Sequence, residues 1–150
     1  MRATSLLVTG LLLVPDAGAT MAPRLSFEEL VARSERIVHG RCLRSWSAWD
    51  APGRFIWTHT EIQLLDRLKG SAVTVVVSEL GGIVGGLGLA VEGVPRYQPG
   101  EEVVLFLYQT PIGYWRARGL EQGVYRVSGA GAQELKTRVR VLLPPDGVGR

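Results

Sequence analysis

Two stretches decide how this chain folds: Ile37-Val38-His39-Gly40-Arg41-Cys42 and Ile56-Trp57-Thr58-His59-Thr60-Glu61-Ile62-Gln63-Leu64. In the first, Val38, Gly40 and Cys42 alternate with His39 and Arg41. In the second, Ile56, Thr58, Thr60, Ile62 and Leu64 alternate with Trp57, His59, Glu61 and Gln63. A period of two belongs to a strand with one buried face. Asp50-Ala51-Pro52-Gly53 between them is turn chemistry, so the pair predicts an antiparallel hairpin. Placing both alternating sets on one face pairs Val38 with Leu64, Gly40 with Ile62 and Cys42 with Thr60. A slip of one residue would bring Arg41 into the core. The same register sets Arg41 opposite Glu61 on the outer face, an attraction of about 0.2–1 kcal/mol.

Upstream, Ser26-Phe27-Glu28-Glu29 has the form of a capping box, and Phe27, Leu30 and Val31 follow at helical spacing. Residues 26–34 therefore predict one short helix. Downstream, Leu65 to Gly70 predicts a bend and turn, and Val73 to Ser78 a strand rich in β-branched residues. Residues 81–88 are glycine-rich, and Pro99-Gly100 is a turn. Val103 to Tyr108 is apolar at successive positions, which suits a central strand covered on both faces. Tyr114 to Arg118 and Val124 to Val127 predict two more short strands. Between Leu135 and Leu143 the apolar residues fit a helix or a strand equally. The whole predicts a mainly β domain, a small OB-like barrel or sandwich with a short N-terminal helix, its core spanning about residues 26–127.

The succession Glu29-Leu30-Val31, Ser34, Ile37-Val38-His39-Gly40, Leu68-Lys69-Gly70, Gly81-Gly82, Gly85-Gly86, Pro99-Gly100-Glu101-Glu102-Val103-Val104-Leu105-Phe106-Leu107 and Gln122-Gly123-Val124-Tyr125-Arg126-Val127 resembles a family of exported bacterial β-domains without an assigned role. The spacing of strand, Leu68-Lys69-Gly70 turn and Pro99-Gly100-Glu101-Glu102 turn is also similar to netrin-like modules, which are OB-type barrels. Those modules use disulfides and an N-terminal cysteine that engages a protease zinc. Here the single cysteine, Cys42, falls within a strand. The second resemblance therefore implies a fold and not an inhibitory mechanism.

The first residues carry a compartment signal. Arg2 is a charged start, Leu6 to Val14 an apolar run too short to span a bilayer, and Ala17-Gly18-Ala19 a small-residue cleavage site. The expectation is a signal peptide over residues 1–19 and a single β-rich domain over 20–150, periplasmic or secreted, with no stable membrane insertion after cleavage. A lone cysteine forms no intrachain disulfide, so the core must suffice. The net charge is +3, with the basic residues scattered. Nucleic-acid binding calls for a dense basic patch, so that partner class is not expected.

No catalytic set, cofactor fingerprint or metal constellation emerges. The two histidines, His39 and His59, are expected on the outer face, with His39 opposite Gln63 and hence about 13 Å from His59. That is too far for one metal ion. Cys42 falls on the other face from both, as a small core residue. The glycine-rich segment lacks the Lys-Ser/Thr ending of a phosphate loop. The aromatic residues are more telling. The same register places Leu43 and Trp57 on the outer face beside His59, an exposed partner or glycan surface unless the helix or the glycine-rich loop covers it. The expected function is an exported non-enzymatic binding or interaction domain acting on an envelope or co-secreted protein or a glycan. The alternative is an exported hydrolase or metal-dependent enzyme.

Overall fold

The computed structural model describes residues 22–71 and 73–145; the expected signal peptide lies outside them. Helix α1 (Phe27–Arg33) is followed by β1 (Arg36–Trp49), β2 (Ile56–Lys69), β3 (Val75–Leu80), β4 (Gly82–Val84), β5 (Leu87–Leu89), β6 (Glu102–Gln109), β7 (Trp115–Ala117), β8 (Val124–Arg126) and α2 (Ala130–Leu142). Along the main sheet the order is β1-β2-β3-β7-β6-β8, and β1 pairs with β6 as well. That extra pairing closes a ring of β1, β2, β3, β7 and β6, an OB-like barrel with β8 appended to β6. All ring pairings are antiparallel except the single parallel pair of β3 with β7, Val77 with Trp115. Closing the ring removes the free edges that an open sheet of this size would present along most of its length.

The capping box forms as expected. Ser26 Oγ accepts the Glu29 amide at 3.1 Å, and Glu29 Oε2 accepts the Ser26 amide at 2.9 Å. At the other end of α1, Lys69 Nζ donates to the carbonyls of Val31 and Ala32, which a helix C-terminus leaves unpaired.

Two apolar layers share β6. Val103, Leu105 and Leu107 fill the barrel interior with Val38, Cys42, Ile62, Val75, Val77, Tyr97, Ala117 and Val124. Val104 and Phe106 face outward, beneath the helices, and pack with Leu30, Val31, Ile37, Leu68, Leu135 and Val139. Phe27, Phe106 and Tyr125 form a cluster in that second layer, with ring centroids 5.5–6.0 Å apart and Phe27 edge-on to both others. A strand buried on both faces needs apolar residues at every position, which is why residues 103–107 read that way. The ambiguous C-terminal segment is helix α2, and its Leu135 and Val139 extend the core past residue 127.

The hairpin register departs from expectation. Gly40 pairs with Leu64, Arg41 with Gln63 and Cys42 with Ile62, two residues from the expected alignment. Each of the three breaks in the ladder leaves one leucine without a partner: Leu43 in β1, and Leu65 and Leu68 in β2. These are β-bulges, which bend and twist long strands so that both can wrap a small barrel. They also carry β2 through to Lys69, where a bend was expected at Leu65. Arg41 consequently pairs with Glu102 at 3.5 Å, and it is Arg44 that meets Glu61, at 2.7 Å. The third strand starts at Val75 and runs to Leu80, and the glycine-rich segment is itself a hairpin, β4–β5.

At Gly40, β2 lies too close to β1 for a side chain. A Cβ there would lie 2.4 Å from Ile62 Cγ2 and 2.7 Å from the Gln63 carbonyl oxygen. The Gln63 carbonyl is backbone and cannot withdraw without opening the hairpin. Gly40→Ala is expected to lower stability by about 1–3 kcal/mol, the range for overpacking a core, measured by the denaturation midpoint. A variant as stable as the parent would contradict this close approach.

Candidate functional site

The bulge at Leu43 decides which side chains meet on the outer face of the first hairpin. Beyond it, Ser45, Ser47 and Trp49 pair with Thr60, Thr58 and Ile56, while Arg44, Trp46 and Ala48 pair with Glu61, His59 and Trp57. With the two-residue offset of the ladder added to this one, Trp46 takes the place beside His59 that the uninterrupted alternation assigned to Leu43. Leu43 is the bulged residue itself and remains exposed. On the inner side, Ser45 Oγ and Thr60 Oγ1 are 2.7 Å apart, and Ser47 Oγ and Thr58 Oγ1 2.9 Å. The β4–β5 hairpin lies close over that hydroxyl ladder. A Cβ on Gly82 would meet Ser47 Oγ at 2.3 Å and Thr58 Oγ1 at 2.5 Å, so only glycine permits this contact.

On the outer side a run of rings crosses β1, β2 and the entry to β7. The Trp46 and His59 ring centroids are 5.5 Å apart, those of His59 and Tyr114 5.4 Å, and those of Tyr114 and Trp57 5.0 Å. The last two contacts are edge-on, the arrangement that ring quadrupoles favour. A guanidinium lies over each end, Arg44 over Trp46 at 5.2 Å and Arg116 over Trp57 at 5.4 Å. Ser78 Oγ lies 2.7 Å from His59 Nδ1 and fixes the ring. Exposure is graded along the run. Trp46 is 41 % exposed, whereas Trp57 is only 8 % exposed. The expectation of an exposed Trp57 is thus corrected: Tyr114 and Arg116 pack against its ring. Of the three residues expected to form the surface, Leu43 presents side chain freely, His59 lies partly covered within the run and Trp57 forms its base.

His39 is also corrected. It is 6 % exposed rather than on the surface. Its Nε2 lies 2.7 Å from Glu102 Oε1, and its partner across the hairpin is Asp66 rather than Gln63. Asp66 in turn accepts from Lys136 at 3.1 Å and Arg140 at 2.7 Å on α2. These groups anchor α2 to the barrel and lie apart from the aromatic run. The His39 hydrogen bond, chief among the causes, holds the Glu102 carboxyl below its usual range; Lys136 and Arg140 do the same for Asp66 against the opposing effect of burial. Cys42 belongs to the barrel interior, where burial pushes its thiol up to about 11. A thiol so placed is protonated and inert. Among the described residues no three His, Cys, Asp or Glu side chains converge as metal ligands, and no helix is long and apolar enough to cross a membrane.

Glu79 was not singled out by its sequence context. It is 1 % exposed; its Oε1 accepts the Ala117 amide at 2.8 Å and its Oε2 accepts Arg116 Nε at 3.0 Å. Burial raises its carboxyl, while the Ala117 amide and Arg116 oppose the rise. With both oxygens engaged by the protein, the group is structural. No family model and no curated protein matches the chain.

Desolvation lowers the His59 pKa below its ordinary 6.5. The folded state then prefers the neutral ring, so the unfolded chain binds the proton more readily. This contribution to stability is present in full above about pH 6.5 and is lost as the pH falls through the folded-state value. Denaturant titrations from pH 7.5 down to 5 should show the parent losing more stability than His59→Gln, and an NMR titration should place the His59 midpoint below 6.5. A midpoint at or above 6.5 would contradict the assigned environment.

Proposed function

We propose that this chain is an exported, non-enzymatic binding domain whose contact surface is the first hairpin. One observation carries the reading: the aromatic run ends at a Trp46 ring that stays 41 % exposed although the rings behind it are packed against one another and His59 is held by Ser78. Leu43, Trp49 and Phe55 add exposed apolar surface on the same hairpin. Large rings held rigid before binding lose little entropy on contact, which is why such residues dominate binding surfaces. Ligand contact on the corresponding sheet face is also common among OB barrels, an argument from fold alone. Export is supported by the charged start, apolar run and Ala17-Gly18-Ala19 of the leader. The ligands this compartment offers are envelope polymers and co-secreted proteins.

The purified domain should be measured against immobilised envelope polysaccharide and against a panel of co-secreted proteins, with Trp46→Ala and Val141→Ala in parallel. Val141 is 78 % exposed on α2, on the helical side of the barrel, and serves as the control. Trp46→Ala should weaken binding at least tenfold, the ~1.4 kcal/mol or more of a central contact, and Val141→Ala should leave it unchanged. Binding indifferent to Trp46 would remove the hairpin from the account.

A further inference from the structure

The first hairpin outgrows the barrel, and its far side is an open strand edge. β6 pairs with β1 only over Arg36–Arg41. The last main-chain links on that side are the Cys42 amide to the Glu101 carbonyl at 2.8 Å and the Gly100 amide to the Cys42 carbonyl at 2.7 Å. β1 then continues through Arg44-Ser45-Trp46-Ser47-Ala48-Trp49, paired among the described residues with β2 alone. The direction of its free groups follows from the turn. The Asp50 amide donates to the Phe55 carbonyl at 2.8 Å, so by antiparallel alternation the pairs 48/57, 46/59 and 44/61 exchange main-chain hydrogen bonds. The amides and carbonyls of Ser45, Ser47 and Trp49 must point away from β2. On β2 the same alternation turns Ile56 toward β3, and its carbonyl does accept the Gly81 amide at 2.7 Å. Among the described residues, no main-chain partner reaches the outward groups of Ser45, Ser47 or Trp49.

This edge lacks the usual protection. It contains no proline and no lysine, its one charge at Arg44 is already paired with Glu61, and the Leu43 bulge precedes the stretch rather than interrupting it. The β4–β5 hairpin crosses the inner face near Ser47 and, among the described residues, its strands pair only with each other. Ser45 and Trp49 are exposed.

We propose that the partner is an extended polypeptide segment that adds as a strand to the Ser45–Trp49 edge of β1. The inference rests on the reading of the first hairpin as the contact surface and narrows its ligand to a peptide. Five residues of edge, about 17 Å, offer donors and acceptors at the repeat of a second strand, and only a polypeptide main chain matches that repeat. A glycan can stack on Trp46 but has no regular N–H and C=O series to satisfy the edge. The incoming strand places alternate side chains beside Trp46 on one face and Trp49 on the other, so it should carry an apolar residue opposite Trp46 and no proline.

A displayed library of random 12-residue linear peptides, selected on the full chain, supplies the probe; the peptides obtained are then titrated into the isotope-labelled protein. Strand addition predicts that the amides of Ser45, Ser47 and Trp49 exchange rapidly in the free chain and become protected at saturation. Ser45→Pro, which removes the outward amide together with the hydroxyl that meets Thr60, should raise the Kd at least tenfold, whereas Ser45→Ala, which removes the hydroxyl alone, should hold it within about threefold. A library that yields no binder, or binders that leave those three amides unprotected, would overturn the proposal. The exchange measurement needs no variant, so it decides even where Ser45→Pro folds poorly. Protection already present in the free chain and lost on dilution would assign the edge to a second copy instead. Binding that depends on Trp46 with the edge unaffected would refute strand addition and spare the hairpin surface. Indifference to both Trp46→Ala and Ser45→Pro would refute both.

Discussion

A buried carboxylate holds the weakest joint of the barrel. Between β3 and β7 the main chains share a single parallel pair, Val77 with Trp115, and two residues further along the Ala117 amide has the Glu79 carboxylate as its acceptor. The second oxygen of Glu79 holds Arg116. An acid in a 1 % exposed position suffers a desolvation penalty that drives its pKa upward, and only well-placed donors offset it. Removing that acceptor would leave a buried amide and a largely buried guanidinium without their partner, whereas no other pairing in the ring rests on one residue. The remaining pairings are antiparallel ladders of three residues or more. Closure of the ring at this joint therefore depends on Glu79 as well as on the apolar packing of Val77 and Ala117.

The same side chain sets the outer face. Arg116, fixed by Glu79, lies over Trp57; Trp57 packs on Tyr114, Tyr114 on His59, and His59 on Trp46. The exposed ring thus stands at the end of a chain of contacts that begins inside the barrel. This use of arginine recurs across the molecule. Arg36 lies 3.9 Å over Trp115, Arg118 4.4 Å over Tyr108 and Arg138 4.3 Å over Phe27. A planar guanidinium covers a ring while keeping its donors available, as an ammonium cannot. The excess of arginine over lysine, fifteen to two, has at least in part a structural role here.

Much of the architecture was legible because it rests on local or periodic signals. The capping box fixed α1, the alternation of residues 37–42 and 56–64 disclosed the hairpin, and uninterrupted apolar residues marked β6 as covered on both faces. What escaped was the insertion of single residues. A leucine added at position 43, 65 or 68 leaves each flanking alternation intact, so nothing in the local pattern announces a bulge. Yet one extra residue reverses the face of everything beyond it. That reversal at Leu43, added to the two-residue offset already present at Gly40, brought Trp46 rather than Leu43 beside His59. Trp57 kept its expected face, but its cover comes from Tyr114 and Arg116, more than fifty positions away. His39 is buried by the same kind of long-range contact, with Glu102. Glu79 was illegible for a related reason, because Ser78-Glu79-Leu80 reads as an ordinary strand end until β7 is brought against it.

The central claim, that Glu79 closes the barrel and steadies the aromatic face, is tested most directly by hydrogen exchange at the Ala117 amide in the parent and in Glu79→Met. Methionine keeps the apolar volume and removes the acceptor, which separates the hydrogen bond from a packing defect. The account predicts that Ala117 loses protection selectively, ahead of Leu105 in the barrel interior, with a loss of stability on the order of 3–5 kcal/mol, the range for breaking a buried pair. An Ala117 amide as protected in Glu79→Met as in the parent, at unchanged stability, would show that the β3–β7 main chains close the ring without the carboxylate, and would contradict the account.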